Sequence, residues 1–570
     1  MFRNLAKDEI GLERIWLRRD VLAASFALNL LGLALPVMIL QIYDRVIGNE
    51  AYATLGFIVL MLIGAFALEF ALRVLRAATL AAAGARYEHQ ANLKTFETIL
   101  SADIQAFEAD TPNAHRERIA AIRKVKNFYA QSALTLIADL PFILIFLTLI
   151  CFISGWLVLA PVAFLAGFAL TVRLLSGAMS RLLRDREETD ERRFNFLTET
   201  LSGIHTVKAG AIETPLIRRH ERLQGKSSAM VARYAFLANV TQGLASIYGQ
   251  AATICVVAIG AVFVVAGDMT MGGLAATTML TGRALQPVVR GLLTWTRYQS
   301  IVLYEDQIAQ LRALPAERSA EATAAPQLAG EIRFEGVSFR YEGAAEPTLR
   351  EATFTIAPRE MVGVVGATGA GKTTLLQLMN GVLTATNGRV SVDGADLATV
   401  DVARMREEIA FLPTSAMMFP GSILENVAMF REGQAQRRAV AALRRLGLQD
   451  YIAGLPRGMD TEIGGPHMKA HPAGLVQTAA IARGLVDQKR VILFDNAHKS
   501  IDHAHDKRLL DLIRSLKGGC TIVLVTERPS YLSLCDRMLV VKDGRVRLRD
   551  QTPKIDFSAP SPLLQSRGAA

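Results

Sequence analysis

The sequence predicts a multi-domain protein: an all-α membrane domain of six helical spans, followed by an α/β domain built around a phosphate-binding loop. Three observations carry this reading. Six apolar runs of about 20 residues, the length that crosses a bilayer as a helix, fill the first half of the chain. Residues 366–373 match the pattern GxxxxGK[ST] between an apolar strand-like run and a helix-like run. Further on, the apolar run 491–494 ends on a carboxylate, Asp495.

Taken in order, residues 1–19 form a charged segment without an apolar core, so no cleavable signal peptide is expected. The membrane domain is expected over 20–313, with spans near 21–43, 54–75, 132–152, 157–175, 244–266 and 274–293. The sixth span is the weakest, because Arg283 and Arg290 interrupt it. Links after spans one, three and five are short and nearly free of Lys and Arg. Links after spans two and four each exceed 50 residues and are basic, with Arg86, Lys94, Arg116 and Lys124 in one and Arg181, Arg192, Lys208 and Arg218 in the other. The positive-inside rule puts these links and both termini in the cytoplasm. Their helix-forming composition predicts that they prolong the membrane helices.

Polar residues inside the spans call for partners, since charge in lipid is costly. Glu69 and Arg73 stand four apart on one helical face. Asp139, before Pro141, reads as an interfacial or helix–helix anchor. A linker rich in Ala, Pro and charge covers 314–330, the α/β domain covers 331–549, and a loose polar tail covers 550–570. The net charge of +10 gathers beside apolar runs, which points to a membrane rather than to nucleic acid. The four cysteines form no CxxC pair, so neither a disulfide framework nor a zinc motif is present. The cluster His467, His471, His498, His503 and His505 lacks metal-ligand spacing and reads as exposed or structural.

The loop consists of Gly366, Ala367, Thr368, Gly369, Ala370, Gly371, Lys372 and Thr373, followed by Thr374. Its glycines let backbone N–H groups converge on phosphate oxygens at a helix N-terminus. Lys372 is placed for β- and γ-phosphates, and the Thr373 hydroxyl for Mg²⁺. A nucleoside triphosphate is therefore the expected ligand.

Six spans with long cytoplasmic links, followed by a nucleotide domain, resemble an ABC exporter half-transporter. The segments 28–55, 138–142 and 281–287 look specifically like type I secretion ATPase/permeases. That resemblance implies ATP and Mg²⁺ as cofactors and a second half-transporter as partner. It also implies a bacterial inner-membrane location, an exported polypeptide, and contact with a periplasmic adaptor and an outer-membrane channel. With the first span starting near residue 21, the peptidase-like N-terminal domain of some relatives is not expected. Within the nucleotide domain, Tyr341 matches the aromatic residue that stacks on adenine. Asp495 matches the Walker B carboxylate that orients Mg²⁺, and Asp502 matches the D-loop aspartate.

Four positions depart from the family pattern. Thr414 replaces the Gln that links Mg²⁺ and the attacking water to the membrane domain. Asn496 replaces the Glu that polarises this water, and an amide cannot accept its proton. Glu527 replaces the switch His, where a carboxylate repels a γ-phosphate. The signature LSGGQ aligns with His471, Pro472, Ala473, Gly474 and Leu475 when counted back from 481–485; counting forward from Thr461 shifts the match by one. Its γ-phosphate-binding Ser is absent, and Pro472 has no N–H. The expected function is thus the ATP-binding, catalytically degenerate half of a heterodimeric exporter of a polypeptide. Two alternatives are a homodimeric ATP-gated membrane protein with little hydrolysis, and an exporter of lipid or another small hydrophobic substrate.

Overall fold

A computed structural model describes residues 19–130, 134–317, 328–415, 417–465 and 471–549. Residues 1–18 of the N-terminal segment, most of the linker, His467 and the tail lie outside the described residues. The chain divides into two compact units, one of residues 1–102 with 107–315 and one of 103–106 with 316–570.

The first unit is helical. Its first span is broken into α1 (Arg19–Leu31), α2 (Ala34–Gln41) and a π-helical turn at Ile42–Val46. Then come α3 (Tyr52–Leu100), the short α4 (Ile104–Glu108), α5 (Pro112–Phe128) and α6 (Leu134–Ser154). A 3-10 turn at Gly155–Val158 leads to α7 (Leu159–Ser202), α8 (Ile204–Ala209), α9 (Glu213–Val265) and α10 (Met271–Arg312). The helices α3, α7, α9 and α10 have 49, 44, 53 and 42 residues. At 1.5 Å per residue they run about 63–80 Å, roughly twice the hydrocarbon thickness, so the long links do prolong the spans. Among the described residues, four helical stretches are long and apolar enough to cross a membrane: Asp20–Val46, Tyr52–Leu100, Ala138–Thr171 and Glu213–Val265. The third runs from α6 through the 3-10 turn into α7 and so takes in spans three and four. The sixth span lies in α10, which does not reach that composition.

The division of labour along α3 is plain in its burial. Phe57, Leu60, Met61, Ile63 and Phe70 are exposed apolar side chains, as a lipid-facing surface requires. From Leu80 onward the helix buries Ala83, Tyr87 and Ala91 against Ile122, Val125 and Phe128 of α5 and Ile301 and Ile308 of α10. The ionisable pair Glu69 and Arg73, and Asp139, are partnered. Arg73 Nε donates to Glu69 Oε1 at 3.0 Å. Asp139 is buried; Asn29 Nδ2 donates to its Oδ1 at 2.8 Å, and the Arg290 guanidinium lies 3.8 Å from Oδ2. One carboxylate therefore ties α1, α6 and α10 together, the helix–helix anchor expected of it. A second tie escaped the sequence reading. Asp44 accepts the Thr270 hydroxyl at 2.8 Å and the Gly272 N–H at 3.0 Å, at the first turn of α10. A Cβ on Gly272 would sit 2.6 Å from Asp44 Oδ1, so only glycine permits this approach.

The second unit is α/β. An antiparallel sheet joins β1 (Ile332–Phe339), β2 (Leu349–Ile356), β4 (Asn387–Val392) and β5 (Ala395–Asp396) in the order β2-β1-β4-β5. A six-stranded sheet runs β12-β11-β3-β10-β9-β6, from β3 (Met361–Gly366), β6 (Ile409–Leu412), β9 (Val491–Asp495), β10 (Thr521–Val525), β11 (Arg537–Lys542) and β12 (Arg545–Arg549). All its pairs are parallel except β11 with β12. Every residue of β9 and β10 is buried, the pattern of strands covered on both faces. Helices α11 (Lys372–Met379), α12 (Val402–Glu408), α13 (Ile423–Val427), α14 (Gln434–Arg445), α15 (Gln449–Ala453), α16 (Ala473–Gly484), α17 (His503–Leu516) and α18 (Pro529–Leu532) complete the unit. A two-stranded ribbon pairs β7 (Gly421–Ser422) with β8 (Glu462–Ile463). In this topology the ends of β3, β9 and β10 lie side by side, where ligands of open α/β sheets bind.

Candidate nucleotide site

The loop leaves the carboxyl end of β3. A Cβ on Gly366 would lie 2.4 Å from the Val541 carbonyl oxygen, so β3 and β11 can close here only around glycine. Gly369 and Gly371 have φ of +81° and +98°, the left-handed region that glycine enters without strain. Ala367, Thr368 and Gly369 are exposed, and Ala370 closes the turn by donating its N–H to the Ala367 carbonyl at 3.1 Å. Gly371 caps α11 without a side-chain acceptor. The first N–H groups of α11 therefore have no side-chain cap to satisfy them, as an anion cradle requires. Lys372 Nζ donates to the carbonyls of Gly366 at 2.6 Å and Ala367 at 2.9 Å, which holds its charge over the loop.

Parallel pairing of β9 with β10 sets Asp495 opposite Val525, at the same sheet edge. Thr373 Oγ1 donates to Asp495 Oδ2 at 2.8 Å. Asp495 is 4% exposed, and its Oδ1 has no partner among the described residues. Burial pushes its carboxyl above the usual range, against the opposing pull of the Thr373 hydroxyl and the Lys372 and Lys499 charges. A hydroxyl and a carboxylate in contact, with one buried oxygen unsatisfied, form a donor set that fits Mg²⁺. Tyr341 is exposed; its hydroxyl lies 3.0 Å from Thr374 Oγ1, and its ring stands edge-on to Phe339 at 4.8 Å. The nucleotide-binding residues predicted from sequence thus sit on one edge of one unit.

Three of the four departing positions lie at the same edge. Asn496 is buried with φ of +48°, and its N–H donates to the Val525 carbonyl at 2.9 Å. Its amide oxygen has no partner among the described residues. Thr414 Oγ1 donates to the Asp495 carbonyl at 2.8 Å, so this short side chain is tied to the backbone behind the site. Glu527 is exposed on the loop after β10, two residues beyond Val525.

The segment 471–475 enters α16. Pro472 is its N-cap and makes no side-chain capping bond; Ala473, Gly474 and Leu475 form the first turn. A Cβ on Gly474 would lie 3.0 Å from the Ser500 carbonyl oxygen, which explains the glycine by packing. His471 Nε2 lies 3.2 Å from the Glu462 carbonyl. Asp502 caps α17, accepting the N–H groups of Ala504 and His505, each at 3.0 Å; these bonds, that from His505 foremost, hold its carboxyl below the usual range.

One buried network was missed by sequence reading. His498 is 2% exposed, with Nε2 3.1 Å from Thr526 Oγ1 and its ring 5.0 Å from that of Tyr531. The Tyr531 hydroxyl donates to buried Asp506 at 2.8 Å, and Arg528 pairs with the same carboxylate. Burial first, then the Arg528 charge, pushes the His498 imidazole down to about 4. This histidine is a neutral core residue. Among the described residues, no group of three or more His, Cys, Asp or Glu is placed to hold a metal.

Residues 21–288 match the family model "ABC transporter transmembrane region", and residues 349–499 match "ABC transporter". The cyclolysin secretion/processing ATP-binding protein of Bordetella pertussis is 30% identical over 530 residues, covering 92% of this chain and 74% of that protein. The leukotoxin export ATP-binding protein of Aggregatibacter actinomycetemcomitans is 26% identical over 527 residues, with the same coverage of 92% and 74%. A bacterial Atm1-family ABC exporter solved with ATP bound superposes with a TM-score of 0.80 at 22% identity, over 93% of this chain and 95% of that one.

Proposed function

This chain belongs to the ABC transporter family, as an ATP-binding membrane exporter homologous to the type I secretion ATPase/permeases, and we propose that it is the catalytically degenerate half of a heterodimeric exporter. The observation that carries the proposal is the buried amide of Asn496, directly after Asp495 and at the same sheet edge as the loop. A general base must lie within reach of the water proton and must accept it; an amide oxygen does not at neutral pH. Thr414 is held on the Asp495 carbonyl, and Glu527 stands where the family carries the switch His, so its carboxylate would repel a γ-phosphate rather than donate to it.

In this reading ATP is held by Tyr341, the loop 366–373 and Thr374, with Mg²⁺ on Thr373 and Asp495. When bound, the ion offsets phosphate charge. Family nucleotide domains act as head-to-tail pairs, so each ATP lies between one loop and the partner's signature. A homodimer would carry two sites that lack both the base and the signature Ser. A partner with intact Glu, His and Gln would supply one working set of Walker residues, facing residues 471–475 of this chain. The two relatives are named for cyclolysin secretion and leukotoxin export, which supports a polypeptide cargo crossing the bacterial inner membrane. A periplasmic adaptor and an outer-membrane channel complete the route, and the positive-inside pattern supports cytoplasmic termini.

The test is phosphate release from Mg-ATP by the purified full chain, alone and co-assembled with an intact half-transporter. The chain alone should bind ATP and hydrolyse about 10²-fold more slowly than the assembled pair. Equal rates alone and in the pair would overturn the proposal.

A further inference from the structure

A cavity lies at the end of the same sheet opposite the nucleotide site. It has a volume of about 860 Å³, within the range of small-molecule sites. It opens beside Arg490 and Cys520, the residues that precede β9 and β10, whereas the nucleotide site lies past their carboxyl ends. The length of β9, about 13 Å at 3.3 Å per residue, separates the two.

Burial divides the cavity into a rim and a floor. Arg438, Arg445 and Arg490 are exposed and Lys489 is half-buried, so the rim carries four cations. Its carboxylate, Asp487, is already engaged by Arg438 at 2.8 Å and Arg431 at 3.2 Å. Arg445 and Arg490 have no carboxylate partner among the described residues. Leu446 and Ile492 are buried, and with Leu516 they make the floor aliphatic. No aromatic ring lines the cavity among the described residues, so nothing there would stack on a nucleobase. Burial also holds the Lys489 ammonium below its usual range, a cost that an adjacent anion would relieve.

We propose that this cavity binds a small amphiphile, with its anionic head on Arg445 and Arg490 and its aliphatic tail against Leu446, Ile492 and Leu516. Phosphate and carboxylate heads share this chemistry, since guanidinium groups take either as forked hydrogen-bond acceptors. The floor includes Leu485, just past the end of α16, whose first turn is the signature-like segment. An occupant would therefore touch the far end of the helix that carries that segment.

The test uses the full chain in nanodiscs of uncharged lipid, photolabelled with a decyl phosphate that carries a diazirine at the tail end. Label should map to peptides within 485–492 and 512–520. It should be competed by decyl phosphate, and not by decanol or inorganic phosphate. Decanoate separates the sources: competition equal to that of decyl phosphate means any anionic head, and none means a phosphate head. Arg445→Ala/Arg490→Ala should lower labelling about tenfold or more, the scale of a lost charge-assisted pair. Arg445→Lys/Arg490→Lys should retain it, and Ala442→Trp, which fills the floor, should abolish it. ATP binding, read on every variant, reports folding. Equal competition by decanol, displacement by inorganic phosphate, or unchanged labelling in the double Ala variant would each overturn the proposal.

Discussion

On the loop side of the nucleotide site, Lys372, Thr373 and the left-handed glycines 369 and 371 keep every group that phosphate binding needs. On the strand-end side, Asp495 stands at the end of β9, while Asn496, Thr414 and Glu527 hold the places where the family pattern carries Glu, Gln and His. The two sides share one sheet edge. The difference, on the proposed reading, is that binding and hydrolysis rest on different groups. Binding rests on backbone shape, which cannot change without disturbing β3 and α11, and on the Lys372 and Tyr341 side chains set beside it. Water activation rests on single side-chain termini, which change without disturbing the strands that carry them.

The largest expected effect would erase the contrast. Installing Thr414→Gln, Pro472→Ser, Asn496→Glu and Glu527→His together should raise phosphate release about 10²-fold or more, the usual contribution of a positioned base. A rise below threefold would mean that the deficit lies outside these side chains. Next, Lys372→Ala should weaken ATP binding about 10²-fold, since a charge-assisted contact to phosphate is lost; a fluorescent ATP analogue measures this. Unchanged affinity would show that the intact loop is not what holds the nucleotide. Third, Tyr341→Ala should cost about tenfold in ATP affinity, at the lower end of what base stacking contributes, and less for a bare triphosphate. Equal losses for both ligands would remove Tyr341 from the adenine contact.

A fourth effect, on stability rather than on nucleotide handling, concerns the strand-end side alone. His498 is neutral in the fold, with a value near 4, against an ordinary 6.5. The unfolded chain thus binds the proton first. No stability is lost above about pH 6.5, and stability falls as pH drops from there toward 4, by at most about 3 kcal/mol. The midpoint of thermal unfolding should fall between pH 7 and pH 5, and His498→Gln should flatten that fall. A slope unchanged in the variant would assign the pH dependence to other groups.

Much of this was legible in the chain itself. The apolar runs, the helical links and the loop are local patterns, and the first five runs fall in long helical stretches and the loop between β3 and α11. The long helices α3, α7 and α9 followed from composition. The sixth span was weak in sequence and is the one that fails on composition in α10. Less legible were contacts between distant residues. The tie of Asp44 to α10 spans 226 residues. The bond from Thr414 to the Asp495 carbonyl and the network around His498 each need a strand pairing that no local pattern announces. The cationic cavity gathers residues from α14, α17 and the approaches to β9 and β10, none of which forms a motif.

The sequence by itself determined which groups are available: a complete phosphate-loop pattern, a carboxylate at Asp495 after an apolar run, and an amide at Asn496. Those are covalent facts, fixed by residue identity and by local backbone preference. Tertiary structure decided which of them meet. Parallel pairing of β3, β10 and β9 brings Thr373 to Asp495 and sets Asn496 against Val525, and burial then pushes the Asp495 carboxyl up and leaves one side-chain oxygen of Asp495 and that of Asn496 without a partner among the described residues. Chain connectivity leaves such meetings open, because they depend on sheet order and register.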